Sequence, residues 1–138
     1  MKRHTASSAL AWLQADGTKD AARWLAYAGG APLRAKAYAA DASSVERLLG
    51  TIQGRGEYLP DTREELEALA EALQKVALDM ALSGFGLPPK YGTAPGSKRA
   101  DSRRWLEFAR RMGQHRALAR HPLNARLFAS QMLTEKPE

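Results

Sequence analysis

Cysteine is missing from the 138-residue sequence, and its absence excludes disulfides, thiolate metal sites, iron–sulfur clusters and cysteine nucleophiles together. The sequence also lacks any apolar run near the roughly 18 residues that a membrane-spanning helix needs, and no signal-peptide stretch follows residues 1–4. The three histidines have no metal-ligand spacing. We therefore expect a cytoplasmic protein with no membrane contact, no metal and no cofactor.

Apolar β-branched residues are also scarce, since one Ile and two Val stand against 26 Ala and 18 Leu. Strands draw on β-branched and aromatic residues, whereas Ala and Leu head the helix-propensity scale. The composition therefore predicts an all-α fold.

Capping residues, glycines and prolines divide the chain into seven predicted helices. The predicted start signals, in chain order, are Thr5, Thr18, Pro32, Ser43 or Ser44, Asp61, Asp101 or Ser102, and Pro122. Three short helices fall within the first forty residues and form one compact unit. Residues 84–100, between the fifth and sixth predicted helices, are rich in glycine and proline and are expected to form a loop. The glycines and the lysine of this loop do not have the spacing of a phosphate-binding loop.

The fifth predicted helix has the most regular pattern in the chain. Its apolar residues repeat at intervals of three and four from Leu66 to Met80. Its glutamates, at positions 64, 65, 67 and 71, fall on the polar side. Because nothing apolar is expected around them to raise a pKa, we interpret them as a solvated face rather than as acid/base catalysts.

Positive charge is concentrated near the C-terminus. Residues 98–126 have a local net charge of +7, although the whole chain has +6. Helical spacing places Arg103 and Arg110 on one face and Arg104 and Arg111 on the neighbouring one. These four arginines are candidate phosphate contacts to nucleic acid. We favour the alternative, a solvated face that pairs with acidic neighbours including the fifth helix, because no aromatics interleave with the charges.

Two segments resemble a known family. Residues 24–35, Trp-Leu-Ala-Tyr-Ala-Gly-Gly-Ala-Pro-Leu-Arg-Ala, resemble the Gly-Gly-x-Pro segment in the lid of clamp-loader subunits with the AAA+ ATPase fold. Residues 119–128, Ala-Arg-His-Pro-Leu-Asn-Ala-Arg-Leu-Phe, resemble the His-Pro-Leu-Asn-x-Arg-Leu-Phe run near the C-terminus of proteobacterial delta-prime subunits of DNA polymerase III. The order of the helices fits the same family, so the resemblance covers essentially the whole chain.

The resemblance implies a two-part fragment of a replication protein. Residues 1–41 are then the three-helix lid, and residues 42–138 are the helical collar domain. In the family, collars of several subunits, gamma/tau and delta among them, pack into a ring, and the complex loads the sliding clamp on primed DNA. The family's ATPase core has no counterpart in this sequence, so the resemblance implies a non-catalytic assembly fragment.

The resemblance also supplies candidate interface residues. They lie in the lid and near the last helix: Arg34, His121, Leu123, Asn124, Arg126, Leu127 and Phe128. For Arg34 the alternative is an ordinary surface position. For Leu127 we expect the alternative, a place in the core of the bundle. A freestanding basic module that binds nucleic acid is the alternative function for the whole chain.

Overall fold

The structure, a computed structural model, describes residues 6–93, 100–118 and 125–137. Within these ranges the chain forms seven α-helices and no strand, which confirms the all-α prediction. The helices are α1 (Ala6–Ala15), α2 (Ala21–Tyr27), α3 (Pro32–Ala40), α4 (Ala42–Ile52), α5 (Arg63–Gly84), α6 (Ser102–Leu118) and α7 (Ala125–Glu135). None of the helices in the described ranges is both long and apolar enough to cross a membrane.

Helices α1 to α3 contact one another and form the predicted compact unit. Leu13, Trp24 and Ala35, one from each helix, are buried at its centre. Only Asp41 separates α3 from α4. The division into a lid of residues 1–41 and a collar of residues 42–138 stays a prediction, although its boundary coincides with this break between helices.

Schellman motifs end α1, α2, α4 and α5. At the end of α1, the N–H of Gly17 donates to Gln14 and the N–H of Thr18 donates to Leu13, and Gly17 adopts the positive φ of 84° that this motif requires. Thr18 is therefore part of the end of α1. Its predicted role as the cap of α2 is wrong, because Asp20 occupies that position.

The start of α5 also differs from the prediction by one residue. Thr62, not Asp61, is the N-cap, and its side chain accepts a hydrogen bond of 3.1 Å from the N–H of Glu65. The spacing of cap and glutamate is the predicted one, shifted along the chain. The predicted start of α4 at Ser43 or Ser44 is also wrong, since α4 begins at Ala42 with Asp41 as its N-cap. The predicted starts at Thr5 and Pro122 lie outside the described residues.

The central packing is between α5 and α6, which run antiparallel. Ser102 at the start of α6 donates a 2.7 Å hydrogen bond to the carbonyl of Ala81 near the end of α5, and Gly113 lies against Gln74. Apolar side chains from both helices are buried in the core: Leu66, Leu69, Leu73, Trp105, Phe108 and Met112. This core fixes which faces of α5 and α6 are left for other contacts.

Candidate interaction surfaces

A cluster of charged and aromatic side chains joins the three-helix unit to α5. We call it the junction cluster: Tyr27 from α2, Arg34 and Tyr38 from α3, and Glu71 and Lys75 from α5. The Glu71 carboxylate lies 2.9 Å from Lys75 Nζ and 3.2 Å from the Arg34 guanidinium, and the Tyr38 hydroxyl donates a hydrogen bond to it. The cluster therefore places one carboxylate among three donors from two elements.

Aromatic rings surround the ammonium group of the junction cluster. Lys75 Nζ lies 3.9 Å from the ring centroid of Tyr27 and 4.5 Å from that of Tyr38. The two rings meet edge to face, with centroids 4.9 Å apart. Because Lys75 is only 9% exposed, its cation–π contacts are partly desolvated and gain strength.

Burial changes the protonation equilibria of the junction cluster. It lowers the pKa of Lys75 below 10.5, although the Glu71 charge opposes this. Burial alone would raise the pKa of Glu71, but hydrogen bonds from Tyr38 and Lys75 outweigh it and the pKa lies below 4.5. Burial and the hydrogen bond to Glu71 raise the pKa of Tyr38 to about 12, and burial raises the pKa of Tyr27 even further. At neutral pH the Glu71 carboxyl is therefore ionised and the hydroxyls of Tyr27 and Tyr38 are neutral.

The junction cluster bears on two predictions, one for Glu71 and one for Arg34. Glu71 is not part of a solvated face, since its side chain is only 19% exposed and is bonded to α3. Arg34 has a 63% exposed side chain but is bonded to Glu71 within the same chain. Its contact with another subunit stays a prediction.

Asp79 is a loop-anchoring residue that the sequence analysis missed. Its carboxylate is fully buried and accepts four hydrogen bonds of 2.6–3.0 Å from Lys90 N, Tyr91 N, Thr93 N and Thr93 Oγ1. The loop after α5 is therefore held against that helix from residue 90 to residue 93. An acidic residue beside the apolar positions of α5, followed by a loop rich in glycine and proline, was the available signal.

The last helix differs from its prediction at Leu127. The buried residues of α7 are Ala129 and Met132, whereas Leu127 is 68% exposed, so its predicted place in the bundle core is wrong. Two residues along a helix correspond to a rotation of about 200°, which places Leu127 opposite Ala129. Arg126 is also exposed.

Phe128, next along α7, is half-buried. Its ring meets that of His115 edge to face, with centroids 5.3 Å apart, and His115 Nε2 lies 3.1 Å from the Glu135 carboxylate. These contacts tie α7 to α6. The other three interface candidates, His121, Leu123 and Asn124, lie outside the described residues.

The four candidate arginines of α6 lie on its exposed side. Arg103, Arg104, Arg110 and Arg111 are all exposed, and within the described ranges none of their side chains forms a hydrogen bond or an ion pair. Arg116, by contrast, donates to Gln74 on α5. The expected pairing of the four arginines with glutamates of α5 is therefore wrong.

An open cleft lies between α4, α5 and the C-terminal end of α7. Apolar side chains, Ile52, Val76 and Trp105 among them, form its floor. An ion pair of 2.7 Å between Arg23 and Glu46 lies at its rim. In the part of the chain that the structure describes, no three histidine or acidic side chains are grouped as metal ligands.

Comparison of this chain with models of protein families, with curated proteins and with solved structures finds no match. The resemblance to clamp-loader subunits therefore depends on residues 24–35 and 119–128 and on the helix order.

Proposed function

We propose that this chain is the lid and collar part of a clamp-loader subunit of the delta-prime type. In this proposal it is a non-catalytic assembly module. It packs against the gamma/tau and delta subunits so that the complex loads the sliding clamp on primed DNA.

The observation that supports this proposal most is the attachment of the three-helix unit to the longer helices. The junction cluster fixes α2 and α3 against α5 through one ion-paired carboxylate and two tyrosines whose rings meet edge to face. A lid positioned in this way transmits its orientation to the helices that follow. Rigid placement of one part relative to another is what an assembly module requires.

Exposed leucines supply a second line of support. Leu33 in α3 is 73% exposed and Leu127 in α7 is 68% exposed, and both lie in segments that resemble the family. Exposed apolar side chains gain free energy when a partner covers them, about 1.5–3 kcal/mol for a leucine that becomes fully buried. We therefore place one subunit contact on the outer face of α7.

The test is co-purification of the full chain with the collar domains of gamma/tau and with delta, followed by size-exclusion chromatography. We expect a complex with the unmodified chain. The variant Leu127→Glu should weaken it at least tenfold, because a leucine worth 1.5–3 kcal/mol on burial is replaced by a charge.

Leu106→Glu is the matched control, since Leu106 is an exposed leucine on another helix. It should leave the complex intact. Absence of a complex with the unmodified chain would contradict the proposed function. Equal losses for Leu127→Glu and Leu106→Glu would contradict the assignment of the contact to α7.

A further inference from the structure

Four arginines lie on one exposed side of α6, which we call the arginine face: Arg103, Arg104, Arg110 and Arg111. At about 100° per residue, the four side chains fall within about 120° of the helix circumference. The two pairs are seven residues apart, which is about 10 Å along the axis. The arginine face is therefore two pairs of guanidinium groups separated by two helical turns.

The fold does not use these charges. No side chain of the arginine face is hydrogen-bonded or ion-paired within residues 6–93, 100–118 and 125–137. Asp101 is the nearest acid at the helix start, and its carboxylate accepts from the backbone N–H of Arg104 instead. Glu107 lies within the face, and Glu135, which is bonded to His115, lines a small cleft together with Arg104 and Arg111. The four arginines still outnumber these two acids.

The arginine face points away from α5, because the buried side of α6, with Trp105, Phe108 and Met112, lies on the opposite side of the helix. Ser102 lies beside Ala81, and Ala81 is about 25 Å along the α5 axis from Glu64. Glu71 lies nearer to Ala81 along α5, but its carboxylate is already bonded within the junction cluster. Distance therefore separates Arg103 and Arg104 from Glu64, and the outward direction of all four side chains separates them from the other glutamates of α5.

We propose that the arginine face binds the phosphate backbone of double-stranded nucleic acid without recognising its base sequence. Guanidinium groups match phosphate oxygens in charge and in bidentate geometry. The separation of about 10 Å between the two pairs is close to the width of the B-DNA major groove, about 12 Å, so the pairs can contact phosphates on its two edges. This binding is additional to the assembly role and does not depend on it.

The surroundings of the arginine face favour a duplex over other acidic partners. Proteins that bind single strands stack bases on exposed aromatic rings, but Trp105 and Phe108, the aromatic residues of α6, are buried in the core. Protein interfaces have an apolar centre, whereas the only large apolar side chain exposed on α6 within the described residues is Leu106.

The test measures binding of the full chain to a labelled 20-base-pair duplex by fluorescence anisotropy between 50 and 200 mM salt. Four phosphate contacts predict a slope of about −3.6 in log K against log salt, which is a loss of about 150-fold over this range. Either double variant, Arg103→Gln/Arg110→Gln or Arg104→Gln/Arg111→Gln, should reduce the slope by about 1.8. The unfolding temperature should not fall, because no intramolecular contact is removed.

The control variant Lys19→Gln/Arg63→Gln removes the same charge at exposed positions on other parts of the chain. It should keep the slope of the unmodified chain. The proposal is overturned if the duplex does not bind at 50 mM salt or if the control loses as much affinity as the two test variants. Tighter binding to the corresponding single strand would also overturn it. Equal competition by polyglutamate would indicate an acidic protein partner instead. None of these results changes the outcome of the co-purification test.

Discussion

Removal of the Glu71 charge is the sharpest test of the junction cluster. Glu71→Gln keeps the shape of the side chain and an oxygen that accepts from the Tyr38 hydroxyl. It removes the charge that lies 2.9 Å from Lys75 and 3.2 Å from Arg34. Lys75 would then be a nearly buried cation without its counter-ion.

The size of the effect follows from burial. Removing one partner of a fully buried ion pair costs about 3–5 kcal/mol. The side chains of Glu71 and Lys75 are 19% and 11% exposed, and Arg34 is largely exposed, so solvent screens part of the loss. We expect Glu71→Gln to lower the free energy of unfolding by about 2 kcal/mol, which lowers the unfolding temperature by about 7 °C for a chain of this size.

The assay is urea denaturation of a double-mutant cycle made of Glu71→Gln, Lys75→Met and the combined variant. Because both single changes break the same contact, the combined variant should be less destabilised than their sum by at least about 1 kcal/mol. The matched control is Glu67→Gln, which removes the same charge from the preceding turn of α5. It should cost less than about 0.5 kcal/mol.

Additive energies within about 0.3 kcal/mol would refute the coupling between Glu71 and Lys75. A loss for Glu71→Gln no larger than that for Glu67→Gln would refute the argument that burial makes this pair costly to break.

Three further predictions concern Tyr38 in the junction cluster, the Asp79 anchor of the loop after α5, and the contact of Gly84 with the start of α6. An unperturbed tyrosine titrates near 10.0 and Tyr38 in the folded chain near 12. Between these values the unfolded chain holds fewer protons, so stability should fall as pH rises. Lys75, whose pKa is lowered in the folded chain, makes stability rise with pH, but only below pH 10.5. Urea denaturation is therefore compared at pH 10.5 and pH 12. Tyr27, whose pKa is raised further, contributes to the same fall, so Tyr38→Phe should reduce the slope without removing it, and an unchanged slope would contradict the assignment. Asp79→Asn should cost about 2–4 kcal/mol, because an amide cannot accept all four hydrogen bonds. Amide exchange should accelerate at Lys90, Tyr91 and Thr93, and unchanged protection there would count against the anchoring role. Gly84→Ala should cost about 1–3 kcal/mol in thermal unfolding, because a Cβ there would overlap Ser102 Oγ and the Ala100 carbonyl oxygen. Gly50→Ala is its control and should be neutral or stabilising by up to about 1 kcal/mol, since it lies within α4 with nothing within 4 Å of the added Cβ.

The fold class and most helix ends were predictable from the sequence, because both depend on local chemistry. A sequence whose apolar residues are mostly Ala and Leu favours helices, and this preference does not depend on how the helices pack. Glycines with positive φ end α1, α2 and α4 at the predicted places, since few other residues adopt that conformation. The buried face of α5 followed from its helical period, from Leu66 to Val76. The errors at Thr18, at Ser43 or Ser44 and at Asp61 are shifts of one to three residues, where neighbouring polar side chains compete for the same cap.

Tertiary structure alone decided which side chains meet. The helical period predicts a polar face for Glu71, but it does not predict that α3 places Tyr38 and Arg34 over that face, since contacts between residues 33 to 37 positions apart depend on how the helices pack. The same holds for Asp79, whose ligands come from the loop that follows α5. The rotation of α7 about its own axis exposes Leu127, and the packing of α6 through Trp105, Phe108 and Met112 turns its arginines away from the glutamates of α5. By itself the sequence determined which helices form and which residues share a face. The packing determined which of those faces are covered, because a face is buried only where another helix lies against it.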